Sequence, residues 1–425
     1  MNRFAAAACL IFTCVCVHAE EMLRFSGETM GTKYSVKVFD PPEFDEDIRI
    51  AVDGVLRRVN DQMSTYLKSS EISQFNESDS TDWFEVSAEF ASVVDFALQL
   101  SEKTDGAFDV TVGPLVNAWS FGPTERTLSV PDAEQLESLQ EMVGYEKLSV
   151  RLEPPALKKS VAGLRVDLSA IAKGHGVDRV VELLNESGAK HVFVEIGGEV
   201  RTSGSKSGQW WKVGIQLPDA QTDDVMIAHS LSTSAGDDHS MATSGDYRNF
   251  FEADGVRYSH TIDPRTATPI DHALASVSVV TDSCMEADGW ATAINVLGPN
   301  RGLEIAEAEK LDVFLISRGS DGFDLAGTGT LAQYAQAKGE AAVDAAPAEA
   351  AGNGTLATLV ITFVAFATLL FLMAVGVMFG RRSIGGSCGG LANAKKDDGS
   401  VSCSLCSNPE SACKELRERM SKELS

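Results

Sequence analysis

The chain predicts a mixed α/β (α+β) fold, a single large exported domain followed by one transmembrane helix and a short cysteine-containing tail. Three observations carry this expectation. Segments with apolar residues at helical spacing interleave with short β-branched runs, without the regular strand–helix–strand cadence of a doubly wound sheet. Residues 355–379 form a run of 25 without a charge, and a bilayer-spanning helix needs about 20 apolar residues. Residues 1–19 combine Arg3, an apolar run from Phe4 to Val17 and small residues before Glu20, the pattern of a cleaved export signal.

In chain order, a strand is expected over 34–38 and helices over 46–63, 88–103, 133–142 and 176–187. Strands follow over 191–196, 211–216, 276–280 and 313–316, each a short run rich in β-branched residues. Gly197-Gly198 closes one strand and Gly327-Thr328-Gly329 marks a later turn. A dinucleotide fingerprint needs Gly-x-Gly-x-x-Gly between a strand and a helix, and none stands in that context.

These elements divide the chain into a signal (1–19), the main domain (20–337), an Ala/Gly/Pro tether (338–354), the span (355–379) and the tail (380–425). Arg381 and Arg382 follow the span at once, and the tail carries eight Lys/Arg against six Asp/Glu in a chain of net charge −25. By the positive-inside rule the tail faces the cytoplasm and the acidic domain the other side. The expected location is therefore the bacterial inner membrane, single pass, with the main domain periplasmic. So acidic a domain argues against nucleic-acid partners. Cys9, Cys14 and Cys16 lie within the signal without a lipobox before them.

Several short motifs carry chemistry. Asp288 and Thr292 stand four apart at the start of an expected helix, so they share a face and can offer hard oxygen ligands to one cation. Alone, that pattern also fits a capping aspartate and a buried threonine. Asp167 precedes Ser169 and the turn from Ala170 to Gly174, where backbone groups and Lys173 could approach a phosphate at a helix start; an ordinary N-cap reads the same way. His260 stands in a strand-like run before Asp263-Pro264 and could take a proton from a hydroxyl, although a lone strand histidine is usually structural. Their company gives these residues their weight.

As a set they resemble the FAD:protein FMN transferases, the ApbE-type family, over roughly residues 25–335. The resemblance rests on Glu28-Thr29-Met30-Gly31-Thr32, Met63-Ser64-Thr65-Tyr66, the run from Ser70 to Asn76, and above all the run from Thr104 to Asn117. The Asp167 and His260 segments, Thr243-Ser244-Gly245-Asp246-Tyr247-Arg248 and Ala287-Asp288-Gly289-Trp290-Ala291-Thr292 then follow in order. It implies an enzyme that moves the FMN half of FAD to a threonine or serine hydroxyl of a target protein, with magnesium on the pyrophosphate and AMP released. It further implies that Met30, Tyr66, Ala107, Phe108, Asp109, Asp167, Lys173 and Ile262 contact FAD, that the Ala170 carbonyl with Asp288, Ala291 and Thr292 holds magnesium, and that His260 is the base. Thr266-Ala267 departs from the Thr-Gly common in the family and could alter the loop after His260.

The tail carries Gly385-Gly386-Ser387-Cys388-Gly389-Gly390, then Cys403, Cys406 and Cys413. In a reducing compartment these cysteines read as soft metal or iron–sulfur ligands, with reduced thiols or palmitoylation sites as the alternative. Span and tail resemble the NqrM-type assembly factor of the sodium-translocating NADH:quinone reductase, implying iron delivery to that complex. The Cys403/Cys406 spacing departs from the tighter pair of that family. The same reductase is a flavinylation target of the transferase family, so its subunits are the expected acceptors. Two other readings share the motifs: an FAD pyrophosphate hydrolase that uses water in place of a protein hydroxyl, and a flavin-binding module without catalysis. Cys284, the lone cysteine of the mature main domain, is expected to be a buried small residue.

Overall fold

The computed structural model describes residues 21–335 apart from 125–127, 219–224, 232–238, 248 and 321. They lie within one unit of the chain, Met1–Asp344. Among the described residues no helix is long and apolar enough to cross a membrane. The expected signal, span and four tail cysteines lie outside the described residues.

A hairpin of β1 (Met22–Thr29) and β2 (Thr32–Phe39) leads into α1 (Ile48–Met63), α2 (Glu71–Glu77), β3 (Phe84–Glu85) and α3 (Ala88–Lys103). Next come α4 (Gly113–Ala118), α5 (Ala133–Gln140), the hairpin β4 (Leu148–Leu152) and β5 (Pro155–Lys159), and α6 (Ala172–Glu186). Strands β6 (Val192–Ile196), β7 (Glu199–Ser203), β8 (Trp211–Gln216), β9 (Val225–Leu231) and β10 (His239–Gly245) follow. The short pairs β11 (Phe250–Ala253) with β12 (Val256–Ser259), and β13 (Ile262–Asp263) with β14 (Thr268–Pro269), precede β15 (Leu274–Thr281). The described fold ends with α7 (Cys284–Ala308), β16 (Asp312–Gly319), β17 (Gly322–Gly327) and α8 (Ala332–Ala335).

Local chemistry starts the helices where they start. Asp47, Ser70, Ser87, Asp132 and Ser283 each accept from a backbone N–H of the first turn of α1, α2, α3, α5 and α7. Neither Val112, the cap of α4, nor Ile171, the cap of α6, supplies a side-chain bond. Helix α6 begins a turn before the expected 176, because Gly174 and Gly176 thin out the apolar spacing. The glycine is needed for packing: a Cβ on Gly174 would lie 2.3 Å from the Cys284 carbonyl oxygen. The two helices therefore touch backbone to backbone at this point.

The main sheet has eight strands in the order β1-β2-β6-β7-β10-β15-β16-β17. Every ladder in it is antiparallel, so the fold stands on the α+β side of the expected class. Period-two alternation assigns its faces. Val192, Val194 and Ile196 pack with α1 and α6, and Ala242, Val277, Val279, Val313 and Leu315 pack with α3 and α7. Phe193, Met241, Phe314 and Ile316 point to the opposite face, which Trp211, Val213 and Ile215 of β8 cover. α6 and α7 thus lie against one face of the sheet, with Lys173 and Asp288 near their N-terminal ends.

Candidate functional site

Three elements converge on a buried ionic cluster. Lys173, in the first turn of α6, places Nζ 3.0 Å from Glu199 Oε1 at the start of β7 and 3.5 Å from Asp288 Oδ2 in α7. The two carboxylate side chains are 5% and 4% exposed, so water does little to screen them. The Gly174 N–H donates to Asp288 Oδ2 at 3.0 Å, which gives the uncapped N-terminus of α6 the negative partner its dipole favours. Burial pushes the Asp288 carboxyl well above the usual carboxylate range; the Lys173 ammonium opposes this and Glu199 adds to it. Burial alone would lower the Lys173 ammonium, but Asp288 and Glu199 outweigh it and hold the group above its ordinary value.

Two buried carboxylates against one ammonium leave this pocket with excess negative charge, and Glu199 Oε2 is buried with no hydrogen-bond partner. Thr292 lies one turn beyond Asp288, its Oγ1 3.3 Å from Ser244 Oγ of β10. Carboxylate and hydroxyl oxygens on one helix face form a hard donor set of the kind magnesium prefers. No group of three or more His, Cys, Asp or Glu suited to a metal exists among the described residues. A magnesium ion here would therefore complete its shell with waters and substrate phosphates, as that ion commonly does. Ala291 is fully buried in α7 and Ala170 sits in the turn before α6, so either could contribute only a backbone carbonyl.

His260 does not lie in a strand, as the sequence suggested, but in a bend between β12 and β13. Its Nδ1 is 2.9 Å from the Asn249 carbonyl oxygen. A carbonyl only accepts, so Nδ1 carries the proton and Nε2 presents a lone pair. Burial lowers the imidazole below its ordinary value; the Asn249 carbonyl opposes this and the Lys173 charge reinforces it. The histidine thus lies within electrostatic reach of the ionic cluster. The edge of its ring meets Phe121 with centroids 6.2 Å apart.

Tyr66 and Asp167 line an open cleft of about 260 Å³ together with Lys68, Asn76, Asn117 and Arg165. Asn76 holds the wall: its Nδ2 donates to the Val166 carbonyl at 2.8 Å and its Oδ1 accepts the Val166 N–H at 2.7 Å. Asp167 Oδ1 accepts the Ser169 N–H at 2.8 Å, closing the turn that leads to Lys173. The Asp167 N–H donates to the Val110 carbonyl at 2.7 Å, which ties this wall to the 104–117 run. Pro123 and Thr124 also line the cleft, two and three residues after the Phe121 that meets His260. Tyr66 is 67% exposed, an aromatic face on open surface.

Other expected residues sit differently. The side chains of Ala107, Phe108 and Ile262 are in the core, and the Phe108 N–H is already bound to Thr104 Oγ1. Asp109 is buried, and its Oδ1 accepts the Thr111 N–H at 2.7 Å and hydroxyl at 2.6 Å. Burial pushes its carboxyl up. Met30, at φ +49° in the β1–β2 turn, packs against two core clusters. Asp167 does not cap α6, which begins five residues later. Ala267 adopts φ +59°, the left-handed conformation a glycine takes without strain, while its carbonyl receives the Trp119 indole N–H at 2.9 Å. Cys284 is buried, as expected. Sequence reasoning gave Glu199 no role; its one signal was an acidic residue directly after Gly197-Gly198.

The chain is similar to known proteins in sequence and in fold. A family model described as the ApbE family matches residues 30–315. The FAD:protein FMN transferase of Vibrio cholerae serotype O1 is 43% identical over 325 residues, 76% of this chain and 95% of that protein. That of Escherichia coli K12 is 36% identical over 315 residues, covering 72% and 87% of the two chains. The solved flavin transferase ApbE from Vibrio cholerae superposes with TM-score 0.67 at 41% identity, covering 74% of this chain and 99% of that one. The flavinyl transferase ApbE of Pseudomonas stutzeri gives TM-score 0.66 at 35% identity over 73% and 95%.

Proposed function

Because the chain belongs to the ApbE family, we propose that its described domain is an FAD:protein FMN transferase whose centre is the Lys173–Glu199–Asp288 cluster with His260 beside it. The observation that carries this is the pairing of a proton acceptor of fixed tautomer with a buried, cation-seeking oxygen cluster. The cleft of Tyr66 and Asp167 binds the flavin dinucleotide. Asp288 and Thr292, with the Ala170 and Ala291 carbonyls, would hold magnesium, which would supply Lewis acidity and charge neutralisation at the pyrophosphate.

His260 Nε2 takes the proton from the acceptor hydroxyl as its oxygen bonds to the FMN phosphorus. The bond between that phosphorus and the bridging oxygen breaks, and AMP leaves with the bridging oxygen. Such a transfer asks the protein mainly for alignment and charge neutralisation. Lys173 acts through the two carboxylates it bridges, holding Asp288 in place, while its charge adds to the burial that lowers the His260 imidazole.

The acceptors in this reading are subunits of the sodium-translocating NADH:quinone reductase or a related complex. The sequence resemblance of the tail supports them, as the export signal and span support a periplasmic domain on the inner membrane. Cys388, Cys403, Cys406 and Cys413 then serve iron delivery to the same complex. The test is to incubate the purified chain with FAD, magnesium and an acceptor subunit and look for covalent flavin fluorescence in a gel. Labelled acceptor that vanishes with His260→Ala or Asp288→Ala is expected. Free FMN and AMP without labelled acceptor would mean hydrolysis, and bound, unchanged FAD a binding module.

A further inference from the structure

The side chain with the densest set of partners beside the site is one the proposed chemistry does not use. Asp178 lies in α6 five residues after Lys173 and is 6% exposed. Its Oδ1 accepts from Arg201 Nη1 at 2.8 Å and from the Cys284 N–H at 2.9 Å. Its Oδ2 accepts from the Ser283 hydroxyl at 2.8 Å and from the Met285 N–H at 2.9 Å. Arg201 belongs to β7, two residues along the strand from Glu199 and on its face. Ser283, Cys284 and Met285 are the cap and first turn of α7, and Asp288 lies one turn further on the same face. One carboxylate therefore joins the three elements that deliver Lys173, Glu199 and Asp288.

Resting on the functional reading above, we propose that Asp178 is a positioning residue for the cation site, fixing the separation of α6, α7 and β7 at which Asp288 meets its partners. The bonds have the right chemistry for this. A carboxylate at the N-terminus of α7 satisfies two amides that would otherwise lack partners and is favoured by the helix dipole. Charge-assisted bonds to Arg201 and the amides are short and directional, so they set position as well as stability. Asn at 178 would keep the shape but turn an NH2 group toward donors, whichever way the amide faces. Removal of the Ser283 hydroxyl leaves the three other bonds in place.

The test compares wild type, Asp178→Asn and Ser283→Ala in the full chain. Magnesium binding is measured by titration calorimetry without FAD, beside kcat and KM for FAD and the melting temperature. Asp178→Asn is expected to weaken magnesium binding about tenfold or more, in line with other changes to groups that orient ligands. Ser283→Ala should shift it in the same direction by less, with the fold retained. Should Asp178→Asn fail to fold, Ser283→Ala decides. Magnesium affinity and kcat within about twofold of wild type in every folded variant, with only the melting temperature lowered, would overturn the proposal. Wild type that binds magnesium but transfers no flavin would instead sink the transferase reading and leave this one standing.

Discussion

Replacing Lys173 by Met removes the ammonium that bridges Glu199 and Asp288, and the structure sets the size of the effect. At 3.0 and 3.5 Å, each pair has a gross attraction of about 5 kcal/mol at an effective dielectric near 20. Desolvation cancels much of this, but removing one partner strands the others, which typically costs about 3–5 kcal/mol. A domain of this size has a urea slope of about 3 kcal/mol/M, so the midpoint should fall by about 1–1.7 M. The deficit should be larger near pH 8 than near pH 6. Stranding a buried carboxylate raises its folded pKa above the unfolded value; the folded state then binds the extra proton, and stability recovers as pH falls. Magnesium should restore part of the loss by mass action. The assay is tryptophan-monitored urea unfolding of the domain at both pH values, with and without magnesium. A midpoint within about 0.3 M of wild type near pH 8, unaffected by magnesium, would refute the charge balance argued here.

Other expectations follow from single contacts. Burial and the Lys173 charge hold His260 below its ordinary pKa, so the acid limb of the flavin-transfer rate should lie below about pH 6.5, since the neutral imidazole is the working form; a limb at or above that value counts against His260 as base. Asn76→Ala loses both bonds to Val166 and should destabilise by about 2–4 kcal/mol, with KM for FAD rising more than kcat falls in steady-state assays. Glu89 is held at about 2, chiefly by its hydrogen bond to His175. Its depressed pKa contributes stability above the unfolded carboxylate value of about 4.3, lost as pH falls toward 2. With its side chain 30% exposed, Glu89→Gln should cost about 1–3 kcal/mol near pH 7, and its unfolding free energy should fall less steeply than wild type on acidification.

Periodicity read from the sequence found α1, α3, α5 and β8 well, but gave no bounds to α7 and no strand at β1, β9 or β10. The helix expected over 88–103 coincides with α3, and the strand expected over 211–216 with β8. Both bury one face, which writes a strong period into the chain. Strands of two to four residues such as β11, β13 and β14 were missed, because a pair of residues carries no period. α6 was found a turn late because its first turn is selected for close contact with α7, and the glycines that permit it look like a loop. The candidate site divides the same way. Asp288, Thr292, His260, Asp167 and Lys173 could be picked out because they stand in compact motifs. Glu199 and Asp178 could not, since their importance comes from partners up to 107 positions away.

The sequence by itself determined the mixed fold, the family and the residue types that phosphoryl chemistry requires, because these are written in local patterns of a few adjacent residues. Only the tertiary structure decided which groups meet: that Lys173 bridges two carboxylates, that the Asn249 carbonyl sets the His260 tautomer, and that the first amides of α6 and α7 face Asp288 and Asp178. The physical reason is that charge balance, tautomer and ligand spacing depend on distances of a few ångströms. Those distances arise between segments that are remote in the chain and are fixed only when the helices close against the sheet.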